Sequence, residues 1–217
     1  MAETIKLDRM LARRLLSVSA IKLQPGSPFV WRTGWNSPIY TDNRSVLSYP
    51  LLRNFIKIEL ARTIIENFND VEVVATVATG AIAIGAIVAD VMGLPFVYVR
   101  SHPKDHGLEN VIEGNIKPGQ KVVVLEDTVT TGANLVKAVE DVTFAGGNVI
   151  GMTSIINYGF PMAEARVQAT KLKLISLTNY RAILDEALAT KFINKADMKE
   201  LERWHSDPEN WTVEEEL

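Results

Sequence analysis

The sequence predicts an α/β protein, a parallel sheet flanked by helices, and three observations predict it. Short runs rich in Val and Ile alternate with helix-period segments four or five times between residues 72 and 190. The run Val-Val-Val-Leu at 122–125 is apolar without alternation, as in a strand covered on both faces. Glycine and polar residues cluster just after the predicted strands, at the carboxyl ends where ligands of such sheets collect.

The elements follow in order. Leu7, Met10, Leu11, Leu15 and Leu16 recur at helical spacing and predict an amphipathic opening helix. Residues 24–43, rich in Pro, Gly, Trp and Ser, predict irregular or short-stranded structure. Residues 50–67 predict a helix whose apolar face is Leu51, Phe55, Ile58, Leu60, Ile64 and Ile65. Strands are expected at 72–78, 96–100, 121–125, 149–156 and 172–177, and helices at 81–92, 135–144, 162–169 and 180–190. The segment 102–118 lacks periodicity between two good strands, and an irregular insertion of that length in a compact domain is functional or disordered. Its Lys104, Asp105, His106, Glu109 and Glu113, with Gly107 and Gly114, suit a lid that closes over a polar ligand. The acidic cluster that ends the sequence reads as a solvated tail.

Composition bounds the function. At 217 residues and 47% hydrophobic, the chain can bury one substantial core, with a small appendage rather than a second full domain. The absence of cysteine excludes disulfides, thiolate catalysis and cysteine-ligated zinc, and cytoplasmic localisation is the expectation. The amphipathic start lacks the apolar core of a signal peptide, and no apolar stretch of about 18 residues is present, so no membrane partner is expected. A net charge of −3 argues against a nucleic-acid surface but not against a small anionic substrate, because a few cations in a cleft outweigh a weakly acidic whole.

The most informative stretch is 122–134, VVVLEDTVTTGAN. Glu126 and Asp127 are expected where the strand emerges, and the following Thr/Gly loop opens a helix whose first N–H groups have no internal partner. Such a loop holds a phosphate. There is no GxxxxGK[ST], and the Gly80 to Gly85 spacing is continued by Ala86 and Ile87 rather than by a dinucleotide fingerprint. Carboxylates beside an anion make sense if they accept hydrogen bonds from sugar hydroxyls while the loop grips a phosphate, so the implied ligand is a ribose phosphate. Ala78-Thr79-Gly80-Ala81 offers further N–H groups at another strand end, though small-residue turns there are ordinary in α/β proteins.

An apolar strand, two acids and a Thr-Thr-Gly loop resemble the fingerprint of the type I phosphoribosyltransferases. Arg100-Ser101-His102-Pro103-Lys104-Asp105-His106-Gly107, followed by Ile112-Glu113-Gly114, is similar to the mobile catalytic loop of the orotate phosphoribosyltransferases in particular. Ser37-Pro38-Ile39-Tyr40, with Asp42 and Arg44, is similar to their N-terminal substrate segment. The resemblance runs from about residue 15 to about 190 and implies a type I phosphoribosyltransferase fold with a small N-terminal hood. The expected organisation is an N-terminal helix and hood at 1–48, a core at 49–193 with the lid at 102–118, and a C-terminal helix and acidic tail at 194–217.

What the resemblance implies about chemistry is Mg²⁺-dependent transfer of ribose 5-phosphate from phosphoribosyl pyrophosphate to orotate, giving orotidine 5′-monophosphate in pyrimidine synthesis. Asp127, Lys104 and His106 are then the catalytic candidates. Arg100, Lys104, His106, Glu126, Asp127, Thr128, Val129, Thr130, Thr131, Gly132, Ala133 and Asn134 would bind the sugar donor, and Thr130 would also touch the base. Mg²⁺ would arrive with the pyrophosphate rather than in a protein cage. The resemblance further implies a homodimer in which one subunit's lid reaches the other's site. Exposed Trp31 and Trp35 are candidate interface anchors, with core packing an equal alternative.

Some positions depart from the family's pattern. Ser101 stands where many members carry a basic residue, His102 replaces a cation of a related subgroup, and Glu109 replaces a common glycine. No arginine lies near Asn157-Tyr158-Gly159 to meet an orotate carboxylate. Loop N–H groups around Tyr40 and Thr41, Thr130, Arg32 and Arg44 are the alternatives. Two other functions therefore stay open: transfer to a different base, and a non-catalytic sensor of phosphoribosyl pyrophosphate.

Overall fold

The computed structural model describes residues 6–31, 34–100 and 111–212. Its elements run α1 (Leu7–Ser17), β1 (Ile21–Leu23), β2 (Phe29–Val30), β3 (Asn36–Ser37), β4 (Ile39–Thr41), a 3-10 helix (Asn43–Ser48) and α2 (Pro50–Asn67). They continue through β5 (Val73–Val77), α3 (Ile82–Met92), β6 (Phe96–Val99), β7 (Ile112–Glu113), β8 (Lys121–Val129) and α4 (Ala133–Phe144). The last are β9 (Asn148–Asn157), α5 (Pro161–Ala169), β10 (Leu174–Asn179), α6 (Tyr180–Ala189) and α7 (Lys195–Ser206). Two compact units emerge, Val46–Asn179 and a unit that joins Met1–Ser45 to Tyr180–Leu217.

The Val46–Asn179 unit holds a six-stranded sheet in the order β10-β9-β8-β5-β6-β7. All neighbours are parallel except β7, which runs antiparallel to β6 at one edge. Val73, Val74, Ala75 and residues 122–125 are fully buried, as strands covered by helices on both faces must be. After β5 the chain moves outward through α3 to β6, whereas after β8 it moves the opposite way through α4 to β9. Right-handed crossovers in opposite directions put α3 and α4 on opposite faces and leave a switch point between the carboxyl ends of β5 and β8.

Three details differ from the sequence expectation. β8 does not end at Leu125 but continues to Val129, because β9 goes on pairing with it after β5 has stopped. The segment 102–118 is not uniformly irregular, since Ile112 and Glu113 pair with Val99 and Tyr98. On α2, Leu60 and Ile64 are buried along with Leu52 and Ile56, but Leu51, Ile58 and Ile65 are exposed by 86, 49 and 62%. The six apolar residues thus span two faces of the helix.

The other unit is built on α1 against α6. Leu11, Ala12, Leu15 and Leu16 are buried, in agreement with the periodicity, and the fully buried Glu186 carboxylate accepts from Arg9 at 3.2 Å and from Arg13 at 2.8 and 2.6 Å. Two short antiparallel pairs are formed, β2 with β3 within the stretch rich in Pro and Gly, and β4 of that stretch with β1 just before it. Trp31 sits edge-on to the fully buried Trp204 at 5.4 Å, stacks on Trp35 at 6.5 Å, and donates its indole N–H to the Ile39 carbonyl at 3.2 Å. Trp31 and Trp35 are half-buried in this packing. α7 opens with a capping box, the Asn194 side chain accepting from Ala196 and Asp197 while the Asp197 carboxylate accepts from the Asn194 N–H.

Candidate active site

The site grows out of unequal pairing along β8. On one side its register with β5 ends at Leu125 opposite Thr76, whereas on the other it pairs with β9 as far as Val129 opposite Asn157. Glu126 and Asp127 therefore stand on a strand that has lost one neighbour and kept the other, at the switch point. They point to opposite faces, as successive strand residues do.

Glu126 is only 7% exposed, and among the described residues no hydrogen bond or ion pair reaches its carboxyl. Burial, with a smaller contribution from the Asp127 charge, pushes its pKa up to about 8. Asp127 is half-buried and lies against the 78–81 turn. A Cβ on Gly80 would fall 2.5 Å from Asp127 Oδ1 and 2.8 Å from its Cγ and Oδ2, so nothing larger than glycine fits there without moving the carboxylate. The Ala78–Thr79 peptide is cis, and the Ala78 N–H donates to the Val99 carbonyl at 2.8 Å. The turn that was a weak signal in the sequence is thus in direct contact with one of the two acids.

Beyond β8, Thr130, Thr131 and Gly132 lead into α4. Gly132 has φ +75°, which favours glycine, and a Cβ there would also crowd the Ala163 Cα of α5 at 3.3 Å. α4 has no side-chain cap, so its first N–H groups face outward from Ala133 and Asn134, both exposed. Thr128, Thr130 and Thr131 are half-buried and Val129 is buried, so Val129 contributes backbone rather than side chain. The Arg166 guanidinium of α5 donates to the Thr131 carbonyl at 2.5 Å, a contact the sequence reading missed and no motif announces.

Arg100 follows β6, one strand beyond β5, so it shares the carboxyl edge with the 78–81 turn and the acids. Its backbone N–H donates to Val111 at 2.8 Å and its guanidinium meets Glu113 at 3.4 Å. Lys104 and His106, with Ser101, His102 and Glu109, lie outside the described residues, as does Arg32. Tyr40, Thr41 and Arg44 belong to the other unit, where Arg44 is held by Asp42 at 2.7 and 3.0 Å and the guanidinium holds the Asp42 carboxyl below the usual range. Among the described residues no group of three or more His, Asp or Glu is arranged to hold a metal, and no helix is long and apolar enough to cross a membrane.

A family model for the phosphoribosyl transferase domain matches residues 53–189, which include the acid pair, the loop and Arg100. An orotate phosphoribosyltransferase of Bacteroides thetaiotaomicron is 55% identical over 205 residues, 94% of this chain and 97% of that protein. The chain belongs to the orotate phosphoribosyltransferase family. A Porphyromonas gingivalis orotate phosphoribosyltransferase is 52% identical over 207 residues, 95% of this chain and 99% of the relative. The solved orotate phosphoribosyltransferase of Aeropyrum pernix superposes with a TM-score of 0.73 at 26% identity, over 85% of this chain and all of that one.

Within this orotate phosphoribosyltransferase fold, the segment that lacks the expected arginine packs inward. Tyr158 and Phe160 are each 1% exposed with ring centroids 5.6 Å apart, and the Asn157 carboxamide oxygen accepts from the Gly159 N–H at 2.9 Å. Arg166 is the next arginine along the chain, and it is directed at the loop after β8.

Proposed function

We propose that the protein is an Mg²⁺-dependent orotate phosphoribosyltransferase that joins ribose 5-phosphate from phosphoribosyl pyrophosphate to orotate, yielding orotidine 5′-monophosphate and pyrophosphate in de novo pyrimidine (UMP) biosynthesis. The observation that carries this reading is the Glu126–Asp127 pair at the switch point, between the Gly80 turn on one side and the Thr130–Asn134 loop on the other. The bond from the sugar's anomeric carbon to pyrophosphate breaks, its electron pair leaves with the pyrophosphate, and a ring nitrogen of the base bonds to that carbon as it gives up its proton, which passes by way of the lid to the departing pyrophosphate.

The Asp127 carboxylate favours the cationic sugar, while Glu126, its pKa pushed up by burial, exchanges hydrogen bonds with a ribose hydroxyl. The outward N–H groups of Ala133 and Asn134, with the hydroxyls of Thr130 and Thr131, hold the 5′-phosphate. The Thr79–Gly80 turn and Arg100 face the pyrophosphate, with Lys104 and His106 of the lid completing its neutralisation and moving protons. When bound, Mg²⁺ would supply neutralising charge for the pyrophosphate, and the chain's own part is to hold the sugar hydroxyls through Glu126 and Asp127.

A homodimer with shared active sites also belongs to this reading. Leu51, Ile58 and Ile65 recur at seven-residue steps and form an exposed apolar ridge about 21 Å long on α2, which a second copy would cover. Cytoplasmic residence belongs to the same reading, and the cysteine-free composition is compatible with a reducing compartment.

The deciding experiment is a base panel. Orotate absorbance is expected to fall only when protein, Mg²⁺ and phosphoribosyl pyrophosphate are all present. Turnover of a purine or of uracil in place of orotate would point to another acceptor, which the inward packing at residues 157–160 makes the alternative to test. Donor binding without turnover of any base would make the protein a sensor.

A further inference from the structure

We infer that Arg166 is a positioning residue for the 5′-phosphate loop, and this rests on the phosphoribosyl-transfer reading of that loop. A backbone loop that binds an anion must present N–H groups and turn its carbonyls away, because a bare carbonyl dipole beside a phosphate opposes binding. Gly132 O is accounted for, since it accepts the first α4 bond from the Val136 N–H at 3.0 Å. The preceding carbonyl, Thr131 O, lies before the helix and takes its bond from the Arg166 guanidinium at 2.5 Å. The same stretch of α5 touches the loop a second time, because Ala163, only 2% exposed, lies where a Cβ on Gly132 would be at 3.3 Å. Residues three apart share a helix face, so Ala163 and Arg166 form a two-point clamp on Thr131 and Gly132.

The clamp has two effects. It fixes the peptide after Thr131 so that its oxygen faces α5 and its N–H faces the ligand side. It also keeps a full positive charge behind the phosphate cradle on a helix separate from the cradle itself. Arg166 acts through the loop backbone, so it belongs among the groups that orient the machinery rather than among those that touch the reacting atoms.

The two ends of the donor separate this role from a general structural one. Ribose 5-phosphate carries the phosphate the loop would hold, whereas inorganic pyrophosphate with Mg²⁺ would bind at the opposite end of the site. Arg166→Ala is expected to weaken ribose 5-phosphate about tenfold by calorimetry and raise the donor KM by a similar factor, with kcat and pyrophosphate affinity changed less than twofold. Arg166→Gln, which keeps a donor without charge, should fall between Ala and wild type, and Arg166→Lys should recover most of the affinity. Unchanged ribose 5-phosphate binding in Arg166→Ala would overturn the inference, as would equal losses for both probes or, if Arg166→Ala does not fold, wild-type behaviour of Arg166→Gln. A wild-type protein that binds pyrophosphate but not ribose 5-phosphate would instead overturn the reading of the loop itself.

Discussion

Asp127 and Glu126 are adjacent in sequence and chemically alike, yet the strand sends them into different surroundings. Asp127 is half-buried and lies against the Gly80 turn, so Asp127→Asn should reduce kcat by about a hundredfold or more while changing the donor dissociation constant far less. Single-turnover kinetics beside equilibrium binding would check this, and equal losses would remove the transition-state role. Glu126 is raised from its ordinary 4.5 to about 8 by burial and by the Asp127 charge. Between these values the unfolded chain releases a proton that the folded chain keeps, so stability falls as pH rises through that window, by at most about 1.4 kcal/mol per pH unit. Glu126→Gln should flatten this slope and make the variant relatively more stable at pH 8 than at pH 5, as urea midpoints at several pH values would reveal. Parallel curves for the two proteins would mean that the acid is not buried in its neutral form.

At the scale of elements, the strands with two covered faces were legible because continuous Val and Ile admit few other placements. The far half of β8 was not, because Glu126, Asp127 and Thr128 are polar and their strand geometry depends on a partner, β9, that lies remote in sequence. β7, two residues long, offers no period to read. α1 and α6 were visible by periodicity, but the charge cluster between them was not, since Glu186 reads locally as an ordinary surface acid. Glu186→Gln should lower stability by about 2 kcal/mol, because the carboxylate is fully buried while its arginine partners can rehydrate. Chemical denaturation would register it, and a change within about 0.5 kcal/mol would show that the two arginines contribute little there.

For the whole molecule, periodicity located α2 but could not separate residues that face the chain's own core from those that would face another copy. Leu51, Ile58 and Ile65 are as apolar as Leu60 and Ile64, and only the folded chain shows that the first three stay exposed. Ile58→Lys is expected to convert a dimer to a monomer in sedimentation velocity and to lower activity if the sites are shared, with the circular dichroism spectrum unchanged. A wild type that sediments as a monomer would remove the ridge's assigned role. The candidate site was legible for a related reason: the loop after β8 and the two acids are contiguous, so one stretch of sequence carries them. Contributions from elsewhere in the chain, Gly80 against Asp127 and Arg166 against Thr131, required the fold.

The contact of Gly80 with Asp127 makes the cleft a gauge of side-chain length as well as of charge. Glutamate at 127 would keep the acid, but the extra methylene would drive the carboxylate into the neighbouring turn or away from the position it holds beside Gly80. Asp127→Glu should therefore be nearly as inactive as Asp127→Asn, and Gly80→Ala should reproduce part of that defect by pushing from the other side.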